Sequence, residues 1–423
     1  MVARRFSTSS SVYHLKEEMK TIELFAGAGG LGLGVSAAGF DPELVVEWDH
    51  FCCQTLRENK AVGLGRPAGW PLYEGDVRDL DFRKFEGQVD LVSGGPPCQP
   101  FSIGGKHKGY TDSRDMFPQA VRAVREAKPK AFIFENVKGL TRETFSSYFE
   151  YVRLQLTYPE FERRSGEDWG QHLARLEQHH TFGSRCGLTY QLLTRVLNAA
   201  DYGVPQKRER VFFVGFRSDL NVHWSFPEPT HSHDSLIWSQ CVSGDYWERH
   251  GVARGDHSTP PRSESRAKKL AHPPRPKPWL TVRDAISDLP PPSTHGQLDK
   301  FMNHRLQPGA RTYPGHTGSP LDEPAKTLKA GDHGVPGGEN MLVSPDGLVR
   351  YFTVRESARL QTFPDEFVFL GSWSETMRQL GNAVPVRLAT VVAEAVASEL
   401  RHGVVREGEL VDEKSQALNQ VRH

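Results

Sequence analysis

The chain has 423 residues, more than one hydrophobic core usually organises, so a large domain with a smaller companion is expected. A hydrophobic fraction of 37% with 39 glycines excludes wholesale disorder, and five cysteines without a CxxC pair exclude a disulfide framework and a zinc knuckle. With 52 basic and 52 acidic residues the net charge is zero, so any polyanion site must be a local patch. No apolar run is expected to reach membrane-spanning length, no metal-ligand set stands out, and Met1–Lys20 lacks a signal-peptide block; the chain reads as unsecreted, in a reducing compartment.

Residues 1–19, with the Ser-rich run STSSS, read as a tail. From Lys20 to about residue 230, short β-rich runs (TIELFA, ELVVEW, VDLVSGG, AFIFENV) each meet Gly, Pro or Asp punctuation and then a helical stretch, a pattern that predicts a doubly wound α/β sheet. Only residues 200–208 separate YQLLTRVLNA from ERVFFVGF, too few for a parallel crossover, so these two should pair antiparallel and the sheet should end in a hairpin. The polar, aromatic stretch 141–186 is expected to form exposed helices without chemistry. Residues 231–349 lose periodicity and gain prolines; Gly251–Asp284 holds eight Lys or Arg against three acids, a basic strip in a neutral chain. Residues 350–400 become periodic again and end in an amphipathic helix, and 401–423 read as a charged tail.

Gly27, Gly29 and Gly32 spell GxGxxG between a strand and a helix, with Glu47 at the end of the next strand, a pattern that suits dinucleotide and adenosyl cofactors alike. Trp48 is placed to stack on a base, and Asp76, in EGDV at the end of the following strand, to accept from an exocyclic amine. Gly94-Gly95-Pro96-Pro97 presents Cys98 on a stiff loop at a strand's carboxyl end, where a thiolate can act as a nucleophile. Glu135 and Asn136 end another strand, and alternation along QKRER puts Arg208 and Arg210 on one face. A nicotinamide oxidoreductase would share the glycines and Glu47 but leaves GGPPCQPFS, ENV and QKRER without roles.

These motifs, TIELFAGAGGLGLG, GGPPCQPFS, ENV, QKRER, RESARLQTFPD and GNAVPV, resemble in order and spacing those of the DNA cytosine-5 methyltransferases, of prokaryotic restriction-modification type. The resemblance implies a Rossmann-like, S-adenosylmethionine-dependent methyltransferase sheet in residues 20–230, with 231–349 as a smaller, irregular target-recognition domain and 350–400 returning to the catalytic domain. It implies that Phe25, Gly27, Gly29 and Gly30 line the cofactor loop, with Glu47 on the ribose, Trp48 and Asp76 at adenine, and Pro97 and Asn382 at the same pocket. Cys98 falls on the nucleophile and Glu135 on the glutamate that engages the flipped cytosine; Arg208 and Arg210 fall on the arginines that hold the base and the catalytic loop. Residues 101–115, with Lys106, Lys108 and Arg114, read as a lid over phosphates. Double-stranded DNA is the implied partner, alongside a restriction endonuclease acting on the same site; the enzyme is expected to be monomeric, in the bacterial cytoplasm and without a membrane partner. An RNA cytosine-5 methyltransferase of the same fold and a non-catalytic DNA-binding relative are the competing readings.

Overall fold

A computed structural model describes residues 18–61, 69–97, 115–183, 187–293, 301–312, 314, 317–330, 340–344 and 346–402. Its first half alternates β1 (Met19–Leu24), α1 (Gly30–Ala37), β2 (Phe40–Glu47), α2 (His50–Ala61), β3 (Leu72–Glu74), β4 (Leu91–Gly94), α3 (Phe117–Ala127) and β5 (Ala131–Val137). Then come α4 (Ser146–Thr157), α5 (Trp169–Phe182), β6 (Tyr190–Asn198) and β7 (Glu209–Arg217). Among the described residues these strands form one seven-stranded sheet in the order β3-β2-β1-β4-β5-β7-β6. β1 to β5 are parallel, whereas β7 is antiparallel to both β5 and β6. The expected hairpin is present, with its second strand inserted beside β5 and its first at the edge. The order reverses between β1 and β4, and in such sheets the ligand crevice opens at the strand ends beside that reversal.

The central strands are near-continuous apolar runs because both faces are covered. On one face Ile22, Leu24, Val92, Phe132, Phe134 and Phe213 pack with Val121 and Val124 of α3 and with α4. On the other, Leu91, Ile133, Phe212 and Val214 meet Leu31 and Val35 of α1 and Leu388, Val392 and Val396 of a helix over 386–402. The chain therefore completes its third layer only after leaving for the second region and returning.

Two expectations need correction. α4 is a core helix: Tyr148, Tyr151, Val152, Leu154 and Leu156 are buried, and Leu173 and Leu176 of α5 follow them. Its charges lie between apolar positions three and four apart, which hides the buried stripe in a polar composition. Trp373–His402 is long and apolar enough to cross a membrane, which no run was expected to be. Its apolar window is 61% buried inside the fold and the helix is interrupted at 383–385, as a core element is.

The second region contains α6 (His233–Cys241), α7 (Asp245–Arg249), α8 (Pro261–Ala267) and α9 (Val282–Ile286), with Leu236, Tyr246 and Trp247 at the centre of a small cluster. Residues 319–330 stitch it to the sheet: the Lys207 N–H donates to the Ala325 carbonyl at 2.8 Å, and the Ala325 N–H to Pro205 at 2.9 Å. α10 (Val354–Leu360) and α11 (Trp373–Asn382) lead back. In the basic strip Arg266 pairs with Asp234 and Arg283 with Asp322, while Arg254, Arg262, Lys268, Lys269, Arg275 and Lys277 are exposed.

Candidate active site

The loop after β1 turns by left-handed backbone at Phe25 (φ +55°), Gly27 (φ +56°) and Gly29 (φ +86°). The Glu47 carboxylate holds this turn: Oε2 accepts from the Gly27 N–H at 2.6 Å, and Oε1 from the N–H groups of Trp48 and Asp49 at 2.9 and 2.8 Å. Burial raises its pKa, and those three donors oppose the rise. The glycines divide their work. A Cβ at Gly27 would meet nothing within 4 Å, so this residue borders open space. At Gly29 a Cβ would lie 2.8 Å from the Trp70 ring, at Gly32 3.0 Å from the same ring, and at Gly30 2.3 Å from the Val384 carbonyl. Other parts of the chain pack on these three, which by itself requires them to be small.

Beside this turn the Trp48 indole is 70% exposed, which suits a stacking surface. Asp76 lies beyond β3 instead of at its end, and it caps a short turn by accepting from the Arg78 N–H at 2.9 Å. Its carboxylate also pairs with the Arg78 guanidinium, which lowers its pKa. Asn382 ends α11 with its side chain exposed, next to the residues that touch Gly30. A clamp missed in sequence, Arg378 to Asp49 at 2.8 Å, fixes α11 to the residue after Trp48.

Across the reversal, β4 runs into Gly94-Gly95-Pro96-Pro97. Asn136 donates from Nδ2 to the Pro96 carbonyl at 2.9 Å, so the β5 residue after Glu135 holds this loop. The Pro97 carbonyl accepts from the Met116 N–H at 3.1 Å. Cys98 and the lid cations Lys106, Lys108 and Arg114 lie outside the described residues. Glu135 is 6% exposed and meets Arg210 Nε at 2.7 Å. The antiparallel course of β7 brings them together: it starts where β5 ends, with Arg210 opposite Val137. Burial raises the Glu135 pKa, against the opposing charges of Arg210 and Arg208. Arg208 is fully buried and donates to the carbonyls of Leu328, Gly381 and Ala383 at 3.1, 2.7 and 2.8 Å. It joins the start of β7 to the second region and to the end of α11, so a structural clamp is its visible work.

The geometry sets a glycine turn, an exposed indole and a buried carboxyl–guanidinium pair at the carboxyl ends of β1, β2 and β5, on one edge of the parallel strands. The sequence matches the family described as C-5 cytosine-specific DNA methylase over residues 19–158 and 184–398. It is 33% identical over 379 residues to the Type II methyltransferase M.PspPI of Psychrobacter sp., covering 89% of this chain and 78% of that one. To the Type II methyltransferase M.NgoMIV of Neisseria gonorrhoeae it is 30% identical over 387 residues, covering 91% and 99%. The fold is similar to that of a solved putative DNA modification methyltransferase encoded within an Escherichia coli prophage (TM-score 0.55, 22% identity, 90% of this chain and 99% of that one). The match extends over well more than half of the chain, which thus belongs to the C-5 cytosine-specific DNA methylase family and is a DNA cytosine-5 methyltransferase.

Proposed function

We propose that the enzyme methylates carbon 5 of a flipped-out cytosine in a specific duplex site through a covalent adduct on Cys98. The observation that carries this reading is the buried Glu135–Arg210 pair beside the Pro96-Pro97 stretch that leads directly into Cys98. Carbon 5 of cytosine is a poor nucleophile. Addition of the Cys98 thiolate at carbon 6, with a hydrogen bond or proton from Glu135 at ring nitrogen 3, makes it an enamine carbon that accepts a methyl group. A pKa raised by burial suits Glu135 to that donation, and Arg210 orients the carboxyl. A base, which can be water, then takes the carbon-5 proton, and the C–H electron pair re-forms the 5,6 double bond as the Cys98 sulfur leaves as thiolate. Because the target carbon is stacked inside the duplex, the base must leave the helix, at a cost of a few kcal/mol.

The crevice fits S-adenosylmethionine: the side of Gly27 is open, the Trp48 indole is exposed beside it, and the Glu47 carboxylate lies between them. When bound, that group supplies an electrophilic methyl. Phe25, Gly27, Glu47, Trp48 and Asn382 would hold it; Gly29 and Gly30 shape the turn, and Asp76 reaches adenine only by sharing its carboxylate with Arg78. Residues 231–349 act as the target-recognition domain, with the exposed cations of the basic strip on phosphates. The Type II designation of the relatives supports a restriction-modification role, as a monomer in the bacterial cytoplasm, with a nuclease acting on the same site.

DNA whose target cytosine carries fluorine at carbon 5 tests the chemistry. Fluorine cannot leave as a proton does, so an adduct resistant to denaturation should accumulate and map to the peptide containing Cys98. Turnover by Cys98→Ala, or an adduct on Cys52, Cys53, Cys186 or Cys241, would overturn the assignment. Bisulfite sequencing of DNA from expressing cells reads the site.

A further inference from the structure

At the start of α3, the phenol of Tyr148 makes a half-buried polar contact that the chemistry above does not use. Tyr148 belongs to α4 and is 3% exposed, and its hydroxyl donates to Asp115 Oδ2. The other oxygen of Asp115 accepts from the Phe117 N–H at 3.1 Å, at the start of α3. Between them, Met116 donates its N–H to the Pro97 carbonyl at 3.1 Å. Pro97 immediately precedes Cys98 in the sequence. Tyr148 therefore holds Asp115, and the next residue, Met116, holds Pro97, from which the proposed nucleophile continues. A hydroxyl donating to a carboxylate is among the stronger protein hydrogen bonds, and leaving the buried Tyr148 hydroxyl without it is costly.

We infer that Tyr148 is a positioning residue for methyl transfer: its hydroxyl fixes the Asp115 carboxylate, Asp115 fixes Met116, and Met116 holds Pro97 in place ahead of Cys98. This rests on Cys98 being the nucleophile. Behind Tyr148 a second, separate set of contacts packs α4 on α5. The Tyr148 ring lies against Tyr151 with centroids 6.3 Å apart, the Tyr151 hydroxyl bonds His172 Nδ1 at 2.9 Å, and His172 Nε2 bonds the Phe161 carbonyl at 2.8 Å. His172 and Phe161 lie within 159–183, the stretch that separates the two matched blocks of the family. α5, behind the helix that carries Tyr148, thus lies outside the two matched blocks.

Tyr148→Phe removes only the hydroxyl and leaves the ring in the core. It should lower kcat roughly tenfold, less than the roughly hundredfold that a misplacement of about 1 Å can cost. Cofactor KM and DNA Kd should stay within about twofold, since the residue touches neither ligand. Formation of the fluorocytosine adduct at Cys98 should slow by the same factor. Asp115→Asn weakens the acceptor of both Tyr148 and the Phe117 N–H, so it should lower kcat at least as much as Tyr148→Phe; the double variant should lose less than the product of the two single effects, because they share one contact. Tyr151→Phe deletes the same kind of hydroxyl one turn away and should lower thermal stability while keeping kcat. Wild-type kcat in Tyr148→Phe, an equal kcat loss in Tyr151→Phe, or a loss confined to KM would overturn the proposal. Failure of the wild-type enzyme to form any adduct at Cys98 would instead count against the nucleophile assignment.

Discussion

Glu23 is an ionisable group placed where charge is expensive. It sits in β1, 2% exposed, with one oxygen engaged by Ser93 Oγ of the neighbouring strand and Oε1 without a hydrogen-bond partner among the described residues. Burial lifts its carboxyl from the ordinary 4.5 to about 8, and the Ser93 contact opposes the rise. The unfolded chain releases this proton near pH 4.5, whereas the folded chain keeps it to about pH 8. In that window the unfolded state binds fewer protons, so stability falls as pH rises; below it both states are protonated, and above it the full cost persists. At about 1.4 kcal/mol per pH unit, the cost reaches on the order of 4–5 kcal/mol.

Glu23→Gln keeps the shape and a partner for Ser93 but cannot ionise. An unfolding entropy of about 2.1 cal/mol/K per residue, taken over the whole chain, makes 1 kcal/mol worth about 1 °C in Tm. The variant should therefore melt within about 1 °C of wild type near pH 5 and about 4–5 °C above it at pH 8. Differential scanning calorimetry at four pH values between those limits reads the divergence. Parallel Tm curves across that range would refute the reasoning, because Glu23 would then titrate alike in the folded and unfolded chain.

Glu47→Ala should lose cofactor affinity in calorimetric titration and also lower Tm, because Gly27, Trp48 and Asp49 lose their common acceptor; an affinity loss at unchanged Tm would mean that the carboxylate is not what holds the turn. Arg210 holds the Glu135 pKa down against burial, so Arg210→Gln should raise it further. With a protonated Glu135 needed, the alkaline limb of the kcat profile should move to higher pH, and a limb that stays or moves down contradicts that role. Gly30→Ala drives a Cβ to 2.3 Å from the Val384 carbonyl and should cost about 1–3 kcal/mol, more than Gly27→Ala, whose Cβ meets open space but whose φ of +56° costs about 1–2 kcal/mol. Urea denaturation orders the two.

The features legible in the sequence were those written in consecutive residues. An apolar run followed by Gly or Pro marks a strand end, and the strand ends beside β1, β4 and β5 are where the glycine turn, the Pro-Pro loop and Glu135 lie. The short connection before QKRER showed that β7 runs antiparallel, and that direction delivers Arg210 to the carboxyl end of β5. Contacts made through space left no local pattern. Trp70 lies about forty residues from Gly29 and Gly32, so their packing on it looked like part of a nucleotide fingerprint. The carbonyls that hold Arg208 come from more than a hundred residues away, so its burial could not be seen beside Arg210.

α4 fails differently, and the failure bears on function. Its apolar positions are largely tyrosines, phenylalanine and leucines interleaved with Arg, Glu and Gln, so average composition reads as solvated surface although one face is core. Tyrosine is the residue that such averages misplace most easily, since its ring buries like an apolar group while its hydroxyl demands a partner. Once that ring is inside, the hydroxyl must find an acceptor on whatever element packs against it, here Asp115 at the start of α3. A helix whose buried face carries tyrosines is therefore committed to polar contacts with its neighbours. In this enzyme that acceptor immediately precedes Met116, whose N–H holds the Pro97 carbonyl, which is how a segment without a recognisable motif comes to bear on the loop after β4.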